Sequence, residues 1–310
     1  MTRFAIAFSS LVLASLALVG QAHAMVDDRD VARLVSLGGN CGKCDLSGRK
    51  LTGARFAGAS FADASFIGSD LRGATFMGSS FQRARMTGAD LRGAEIANTD
   101  FSAADFAGAK LDGLDAPAAN FIRANFSGAT LTGAELPGAN LMFSNLTNAR
   151  FDGAELVRVR LIHVNGTRTD FTSASLDGSI LSASRFERAS FKGASLDRAV
   201  LTGSVFEGAD FRGASLDGAV LSGANFSGAR GLRQEQLDEA CGDDKTRLPA
   251  GLKVRACSRS MLVRAPHPPE PPAPPAEAAR AAAAAQRAAA RAQAEAERAE
   301  AAQARAARRD

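Results

Sequence analysis

Residues 186–226 read FERASFKGASLDRAVLTGSVFEGADFRGASLDGAVLSGANF, so that Phe or Leu returns at every fifth position. The same register runs without a break from Leu46 to Phe226 and contains 37 central positions, of which 35 are Leu, Phe, Met or Ile. The two exceptions are Ala116 and Gly166. A period of five fits neither an α-helix nor a β-strand, and it indicates a flat-sided coil with one pentad on each side.

The positions around each centre support this interpretation. The second residue before each centre is mostly Ala or Ser, which allows close approach of the backbone. The second residue after each centre is mostly Gly, which accepts turn dihedrals. Every Phe after the N-terminal segment occupies a centre except Phe143, and the chain has no Trp or Tyr. The interior is therefore predicted to be narrow, dry and apolar.

The number of sides follows from the order of the central residues. In the second half of the repeat, Phe and Leu recur in a super-period of four pentads, or twenty residues. Four sides per coil would stack Phe186, Phe206 and Phe226 on one another, and Leu181, Leu201 and Leu221 likewise. Such identical ladders are expected where each repeat packs only on its neighbours.

Residues Ala89-Asp90-Leu91-Arg92-Gly93 and Ala139-Asn140-Leu141 follow the pattern A(D/N)LXX. In this pattern the chain resembles the pentapeptide-repeat family. The resemblance implies an all-β solenoid, namely a right-handed quadrilateral β-helix. Four pentads per coil predict about nine coils and a rod about 43 Å long, at about 4.8 Å per coil.

The regions that flank the repeat differ from it in composition. Arg3, the apolar run 4–19 and Ala22-His23-Ala24 predict a cleaved secretory signal, with an uncleaved membrane anchor as the alternative. The protein is then periplasmic or secreted, with no membrane span after cleavage. The predicted regions are a signal peptide at 1–24, an N-terminal cap with a Cys-x-x-Cys motif at 25–45, the repeat β-helix at 46–230, a C-terminal cap at 231–262, a Pro-rich linker at 263–275, and an Ala/Arg/Glu-rich helical or disordered tail at 276–310.

Both ends of the solenoid need protection, because they would expose apolar cross-sections and unpaired strand edges. Short capping helices are predicted over Asp28–Leu37 and over Arg233–Ala240. The stretch from Gln236 onward resembles the closing segment of exported proteobacterial members of the family. The tail carries seven Arg, four Glu and one Asp, and it is interpreted either as an extension without a partner or as a basic tether.

The four cysteines lie only at the two ends of the repeat. Cys41 and Cys44 precede the first pentad, whereas Cys241 and Cys257 follow the last. In an exported rod this placement predicts the local disulfides Cys41–Cys44 and Cys241–Cys257. A thioredoxin-like redox pair at Cys41 and Cys44, a metal site and free thiols remain as alternatives.

No catalytic constellation emerges from the sequence, and we expect neither an enzyme nor a cofactor or metal. His163 is the only histidine in the repeat, and the carboxylates are interpreted as scattered over outward positions. The resemblance also implies DNA mimicry against a topoisomerase, which needs dense negative charge. Residues 41–230 hold 19 acidic and 20 basic residues, and export would remove the protein from cytoplasmic gyrase. Both features disfavour that mechanism and nucleic-acid binding.

The preferred interpretation is a non-catalytic structural or protein-interaction rod of the bacterial envelope, whose partner is an unknown protein or envelope component. The alternative is an envelope stress or redox factor that uses Cys41 and Cys44.

One surface is singled out as a candidate partner patch, with a homodimer as one possible outcome. The residue directly after each centre is usually polar, but in three pentads spaced by twenty residues it is apolar. The residue after that one is an arginine, a phenylalanine or a histidine in the same three pentads, and apolar patches with an aromatic residue and an arginine are typical of interfaces. The first column is Ile122, Met142 and Ile162, and the second is Arg123, Phe143 and His163. The alternatives are scattered surface hydrophobes or partial cover by the tail.

A last expectation concerns Gly166. Paired Phe centres change phase by one pentad between the two halves of the repeat, and Gly166 is the weakest centre. The pentad Val164–Arg168 is therefore predicted to bulge or loop out. The alternative is a simple exchange of Phe and Leu between two sides of the coil.

Overall fold

The computed structural model describes residues 41–56, 58–76 and 78–258, and within them the chain forms a four-sided parallel β-helix. The residue before each centre pairs in parallel with the residue twenty positions on, from Asp45↔Ser65 to Asp210↔Arg230. These bridges confirm four pentads per coil. The predicted total of about nine coils stays a prediction.

Backbone hydrogen bonds between successive coils set the spacing of the solenoid. The N–H of Leu91 donates to the carbonyl of Lys110 at 2.7 Å, and the N–H of Lys110 donates back to Ala89 at 2.9 Å. Within the pentad, the N–H of Ala94 donates to the Leu91 carbonyl at 3.0 Å and closes a four-residue turn. Gly93, the third residue of that turn, has a φ of 63°, as a type II turn requires. The local pattern thus explains why Gly recurs at this position.

The four sides are named here by their central residues. Face A contains centres 46, 66 and onward in twenties to 226, and face B contains 51 to 211. Face C contains 56 to 216, and face D contains 61 to 221. Each pentad presents outward the residue before its centre and the residue after it, whereas the centre and the small residue point inward.

The interior is filled by ladders of identical side chains. On face A the rings of Phe186 and Phe206 stack at 5.5 Å between centroids, and those of Phe206 and Phe226 at 4.7 Å. Phe211 of face B meets Phe206 edge-on at 5.5 Å. All of these side chains are fully buried, as is Leu201 on face D. The predicted inward orientation of the centres is therefore confirmed.

The predicted loop at Gly166 is wrong. Asn165 pairs with Arg185 in the regular ladder, and the N–H of Gly166 donates to the Arg185 carbonyl at 2.7 Å. The pentad stays in register because backbone bonds, not the central side chain, fix the coil spacing. The volume left by the missing side chain is taken by the ring of Phe186, whose Cδ1 lies 2.4 Å from where a Gly166 Cβ would be. The alternative interpretation holds: Phe passes from face D to face B between the two halves.

The C-terminal end is closed mainly by extended chain. The predicted helix over Arg233–Ala240 is wrong, since it is reduced to a 3-10 turn at Gln234–Gln236. Two short parallel strands follow, β1 at Cys241–Gly242 and β2 at Arg255–Ala256. The N–H of Leu221 donates to the Cys241 carbonyl at 2.7 Å. Because the last coil exposes unpaired backbone groups, an extended segment satisfies it where a helix would not.

The N-terminal end begins earlier than predicted. The N–H of Cys41 already donates to the Ser60 carbonyl at 2.8 Å, so Cys41 holds a position equivalent to the centres of face D. The predicted signal, the helix over Asp28–Leu37, the linker and the tail lie outside the described residues. Within the part of the chain that is described, no helix is long and apolar enough to cross a membrane.

Candidate partner-binding surface

Face D differs from the other sides in charge. Of its ten outward residues between positions 120 and 202, only Arg160 is charged. Over the equivalent positions 110 to 192 of face B, which lies opposite, six of ten are charged. We call these ten residues the face D surface: Asn120, Ile122, Asn140, Met142, Arg160, Ile162, Ile180, Ser182, Val200 and Thr202.

The six residues predicted as a partner patch do come together. Backbone bonds stack them one coil apart, since the N–H of Phe143 donates to the Ile162 carbonyl at 2.9 Å and the N–H of Arg123 donates to Met142 at 2.9 Å. The rings of Phe143 and His163 stack at 5.1 Å, and the Arg123 guanidinium lies 5.6 Å from the Phe143 centroid. Among the described residues Phe143 is the exposed large hydrophobic side chain, at 47%.

The apolar surface extends beyond the predicted patch. Ile180 and Val200 stand before their centres and are bridged to each other, and Arg160 is bridged to Ile180 below them. Val220 continues the row to the C-terminal segment, where only 5% of it is exposed. The sequence interpretation missed this row because it compared only the two positions after each centre. The available signal was a β-branched residue directly before the centre, which recurs every twenty residues.

Buried hydroxyl groups brace the corner under this surface. The N–H of Val164 donates to the Ser184 Oγ at 2.9 Å, and that hydroxyl donates to the Leu161 carbonyl at 2.8 Å. One coil further on, the N–H of Ser184 donates to the Ser204 Oγ at 2.9 Å. The serines therefore replace the direct turn bond at Val164 and leave the buried backbone groups satisfied.

Arg160 is an unusual member of the surface. Its Nε is buried and has no hydrogen-bond partner among the described residues. Its row neighbours are Asn140 and Ile180, one amide and one apolar side chain. An unsatisfied buried donor costs about 1–3 kcal/mol, and an acceptor supplied by a binding partner would recover part of that cost.

The neighbouring face C is acidic along its length. Its carboxylates form what we call the acidic ladder: Glu95, Asp115, Glu135, Glu155, Asp177, Asp197 and Asp217. No member forms an ion pair within the described part of the chain. The N–H of Asp197 donates to Asp177 Oδ1 at 3.2 Å, and the N–H of Asp217 donates to Asp197 Oδ1 at 3.1 Å. Seven of the 19 acidic residues in 41–230 therefore lie on face C, and the other twelve are spread over the other three faces, as the sequence predicts.

The acidic ladder borders the face D surface. Asp177, Asp197 and Asp217 follow the centres of face C and lie at the corner toward face D, three residues before Ile180, Val200 and Val220. The side chains of Arg158 and Arg198 are the cations at this corner, where each lies over a glycine of the next coil. Three carboxylates against these two cations leave this corner with one excess negative charge, and the other four members of the ladder lie one column further from face D.

The cysteines form the pairs that the sequence predicts. Cys41 is bonded to Cys44, and Cys241 to Cys257, with Cα atoms 5.4 and 4.8 Å apart. The second bond ties β1 to the end of β2 across sixteen positions. Over residues 41–258 no thiol is free, and the described residues contain no cluster of His, Cys, Asp or Glu suited to a metal ion.

A depression of about 540 Å³ lies on the outside of the coil, along face A and its corner. Its wall combines three arginines with two glutamates: Arg168, Arg185, Arg188, Glu187 and Glu207. Arg185 and Glu187 form an ion pair at 3.0 Å. The positive and negative charges of the wall therefore largely compensate one another, and we do not select this depression as a candidate binding site.

Comparison with known proteins agrees with this architecture. The family described as Pentapeptide repeats matches in 8 copies, at residues 40–78, 79–115, 119–156, 144–182, 154–193 and 194–230. The chain belongs to the pentapeptide-repeat family. Its members form right-handed quadrilateral β-helices and are generally non-catalytic structural or interaction proteins.

Several solved structures are similar to this chain. HetL, a pentapeptide-repeat protein involved in heterocyst differentiation regulation in the cyanobacterium Nostoc sp. strain PCC 7120, is 25% identical over 71% of this chain and 98% of its own, with a TM-score of 0.37. QnrB1, a plasmid-mediated fluoroquinolone resistance protein, is 19% identical over 66% and 90%, with a TM-score of 0.32. A pentapeptide-repeat protein of the Arabidopsis thaliana thylakoid lumen is 27% identical over 39% and 66%, with a TM-score of 0.21. A search of curated proteins finds no significant match.

Proposed function

We propose that this protein is an exported, non-catalytic rod of the bacterial envelope that binds another protein through the face D surface. The observation that carries the proposal is the concentration of half-buried apolar side chains on one side whose only charged outward residue between positions 120 and 202 is Arg160, with the exposed Phe143 at its edge. Monomeric proteins rarely expose contiguous apolar surface without using it for binding. The coil interior is filled by its own side chains, which leaves the outside of the rod to carry the function.

The geometry indicates the chemistry of the partner. Phe143, held between Arg123 and His163, is an aromatic anchor at the corner, and Trp, Tyr, Phe and Arg are typical of interface cores. Met142 and Ile162 provide a flat apolar floor beside it. The unsatisfied Arg160 Nε calls for an acceptor within that floor. The partner that fits is a protein with an apolar contact surface and a carbonyl or carboxylate placed to reach Arg160.

Binding is tested with two matched double variants of the full chain. Met142→Ser with Phe143→Ser removes the apolar anchor, whereas Thr147→Ser with Asn148→Ser makes the same change at the equivalent positions of the next face. Phe143 and Asn148 both have positive φ, at 62° and 58°, so the backbone strain is matched. Chemical cross-linking in intact cells, followed by affinity capture, should yield a protein that the wild type and the control retain and the first variant loses.

Equal capture by all three proteins would refute binding through this surface. Thermal unfolding provides the control for folding, because half-exposed residues such as Phe143 should change stability by less than about 1 kcal/mol.

Export is supported by the N-terminal segment and by four cysteines that all lie in disulfides. The test is a fusion of alkaline phosphatase after residue 262, since that enzyme becomes active only where its own disulfides form. Activity should depend on residues 1–24. Full activity after deletion of those residues, or none with them, would contradict export.

A further inference from the structure

The described chain ends beside the face D surface. β2 stacks on β1, and β1 continues the row of Ile180, Val200 and Val220 through the bridge Val220↔Cys241. At the end of β2, the Sγ of Cys257 lies 3.6 Å from the Ser222 Oγ, which belongs to the same face. The remaining residues, 259–310, therefore start at the C-terminal end of the apolar row.

The remaining chain is long enough to return along the rod. The face D surface spans four coil intervals, or about 19 Å at about 4.8 Å each. Residues 259–275 precede the tail and are rich in proline, and an extended chain of that length reaches about 50 Å at about 3.1 Å per residue. Residues 276–310 can thus lie on any part of face D without strain in the connection.

The tail has a charge pattern that complements the border of this face. At about 100° per residue, five of its arginines fall within about 40° of one another on a helix, and Ala dominates the other positions. These arginines, which we call the arginine stripe, are Arg280, Arg287, Arg291, Arg298 and Arg305. Seven residues of helix rise about 10.5 Å, and two coils of the rod span about 9.6 Å, so the stripe nearly matches every second step of the acidic ladder.

We propose that residues 276–310 dock along the face D surface of their own rod, with alanines on the apolar row and the arginine stripe on the acidic ladder. The small Ala side chains allow close approach of the segment to Ile180 and Val200. The arginines lie toward Asp177, Asp197 and Asp217 at the corner and neutralise carboxylates that have no ion-pair partner within the described residues. The docking goes beyond the proposed partner binding and does not depend on it, because it needs only this chain.

Zero-length cross-linking locates the docked tail directly. The tail has no lysine, so Arg291→Lys in the full chain introduces one amine in the stripe, and a carbodiimide joins it to any carboxylate in contact. Gln293→Lys is the matched control, about 200° away on a helix. Lys192 and Asp210, with Nζ and Oδ2 3.7 Å apart, provide an internal reference for the reaction.

Mass spectrometry of the monomeric fraction should show an amide between the introduced lysine and a member of the acidic ladder, at least about 5-fold above the control. Equal yields for the two variants, no link to the ladder, or links found only in covalent dimers would overturn the proposal. The dimer outcome would point instead to a second copy as the occupant.

Oxidation of Met142 by peroxide reports whether the apolar surface is covered. Met142 is half-buried, whereas Met86 is fully buried in the interior and serves as the reference. Reversing the charge of the arginine stripe should increase the rate of Met142 oxidation about 5-fold. Adding negative charge elsewhere on the tail should leave that rate unchanged. The first variant replaces Arg280, Arg287, Arg291, Arg298 and Arg305 by Glu, and the control replaces Gln286, Gln293 and Gln303 by Glu.

An unchanged Met142 rate in the stripe variant would overturn the docking. That result would leave the partner proposal intact, because capture through Met142 and Phe143 is measured separately. Conversely, a docked tail together with unchanged capture by the Met142/Phe143 variant would refute the proposed function alone.

Discussion

Replacing Gly166 by Ala tests the packing of the repeat with a single carbon atom. Gly166 does not have a positive φ, so its backbone accepts any residue and only the space matters. An added Cβ would lie 2.4 Å from Cδ1 and 2.5 Å from Cε1 of the Phe186 ring. The ring cannot simply swing away, because it is stacked on Phe206 at 5.5 Å and is edge-on to Phe191 at 5.7 Å.

The magnitude follows from overpacking of a dense core. Inserting carbon atoms into a well-packed interior costs about 1–3 kcal/mol, and the fully buried neighbours place this site toward the upper end. We expect Gly166→Ala to lower the free energy of unfolding by about 2–3 kcal/mol. For a folded unit of this size, that loss corresponds to a fall in Tm of about 4–12 °C.

The assay is urea-induced unfolding with both disulfides intact, in a double-mutant cycle with Phe186→Leu. The smaller side chain should make room for the new Cβ, so the double variant should lose about 1–2 kcal/mol less than the sum of the single variants. Additive losses, or no loss for Gly166→Ala alone, would refute the reasoning. Tolerance of Ala would mean that the pentad leaves the coil, as the sequence interpretation expected.

Phe206→Asp should prevent stable folding, because an unpaired charge would enter a fully buried site between two stacked rings; a soluble variant with unchanged melting would contradict the inward orientation. Loss of the disulfide by Cys241→Ser with Cys257→Ser should cost about 3 kcal/mol for a loop of this length, and peptide mapping under non-reducing conditions must find this pair. The Arg212 guanidinium lowers the pKa of Asp210, so Asp210 stabilises the fold at neutral pH and loses that contribution as the pH falls below about 4. Asp210→Asn should therefore destabilise at pH 7 and approach the wild type in acid; a constant difference across pH would argue against the pair.

The fold was predictable from sequence because the signal is local and repeated. Each central residue packs against the central residue twenty positions later, so its surroundings repeat in every coil. The same pattern, an apolar residue at every fifth position, therefore recurs many times in the sequence. Phe143 was recognised for the same reason, since it is the only Phe beyond the N-terminal segment that leaves the register. The cysteine pairs followed because the length of the rod separates its two ends.

The charge pattern was not predictable from totals. Lateral neighbours in this fold are twenty residues apart, so the ladder of Asp177, Asp197 and Asp217 is invisible to a count along the chain. The row of Ile180 and Val200 was missed because residues before the centre are in strand-like positions, where apolar β-branched residues attract no notice. Gly166 misled for a different reason: a missing side chain was taken as a missing pentad, although the volume belongs to Phe186 of the next coil.

The architecture separates stability from recognition, and this has a consequence for how the surface can vary. Backbone bonds between coils and the buried centres hold the solenoid, whereas the outward residues of one column contact chiefly their neighbours one coil away. A column can therefore become apolar, as on face D, or acidic, as on face C, at little cost to folding. The same independence means that a changed outward residue on face D should alter binding with little change in unfolding. A changed centre such as Phe206 would alter both, because it moves every column that the coil supports.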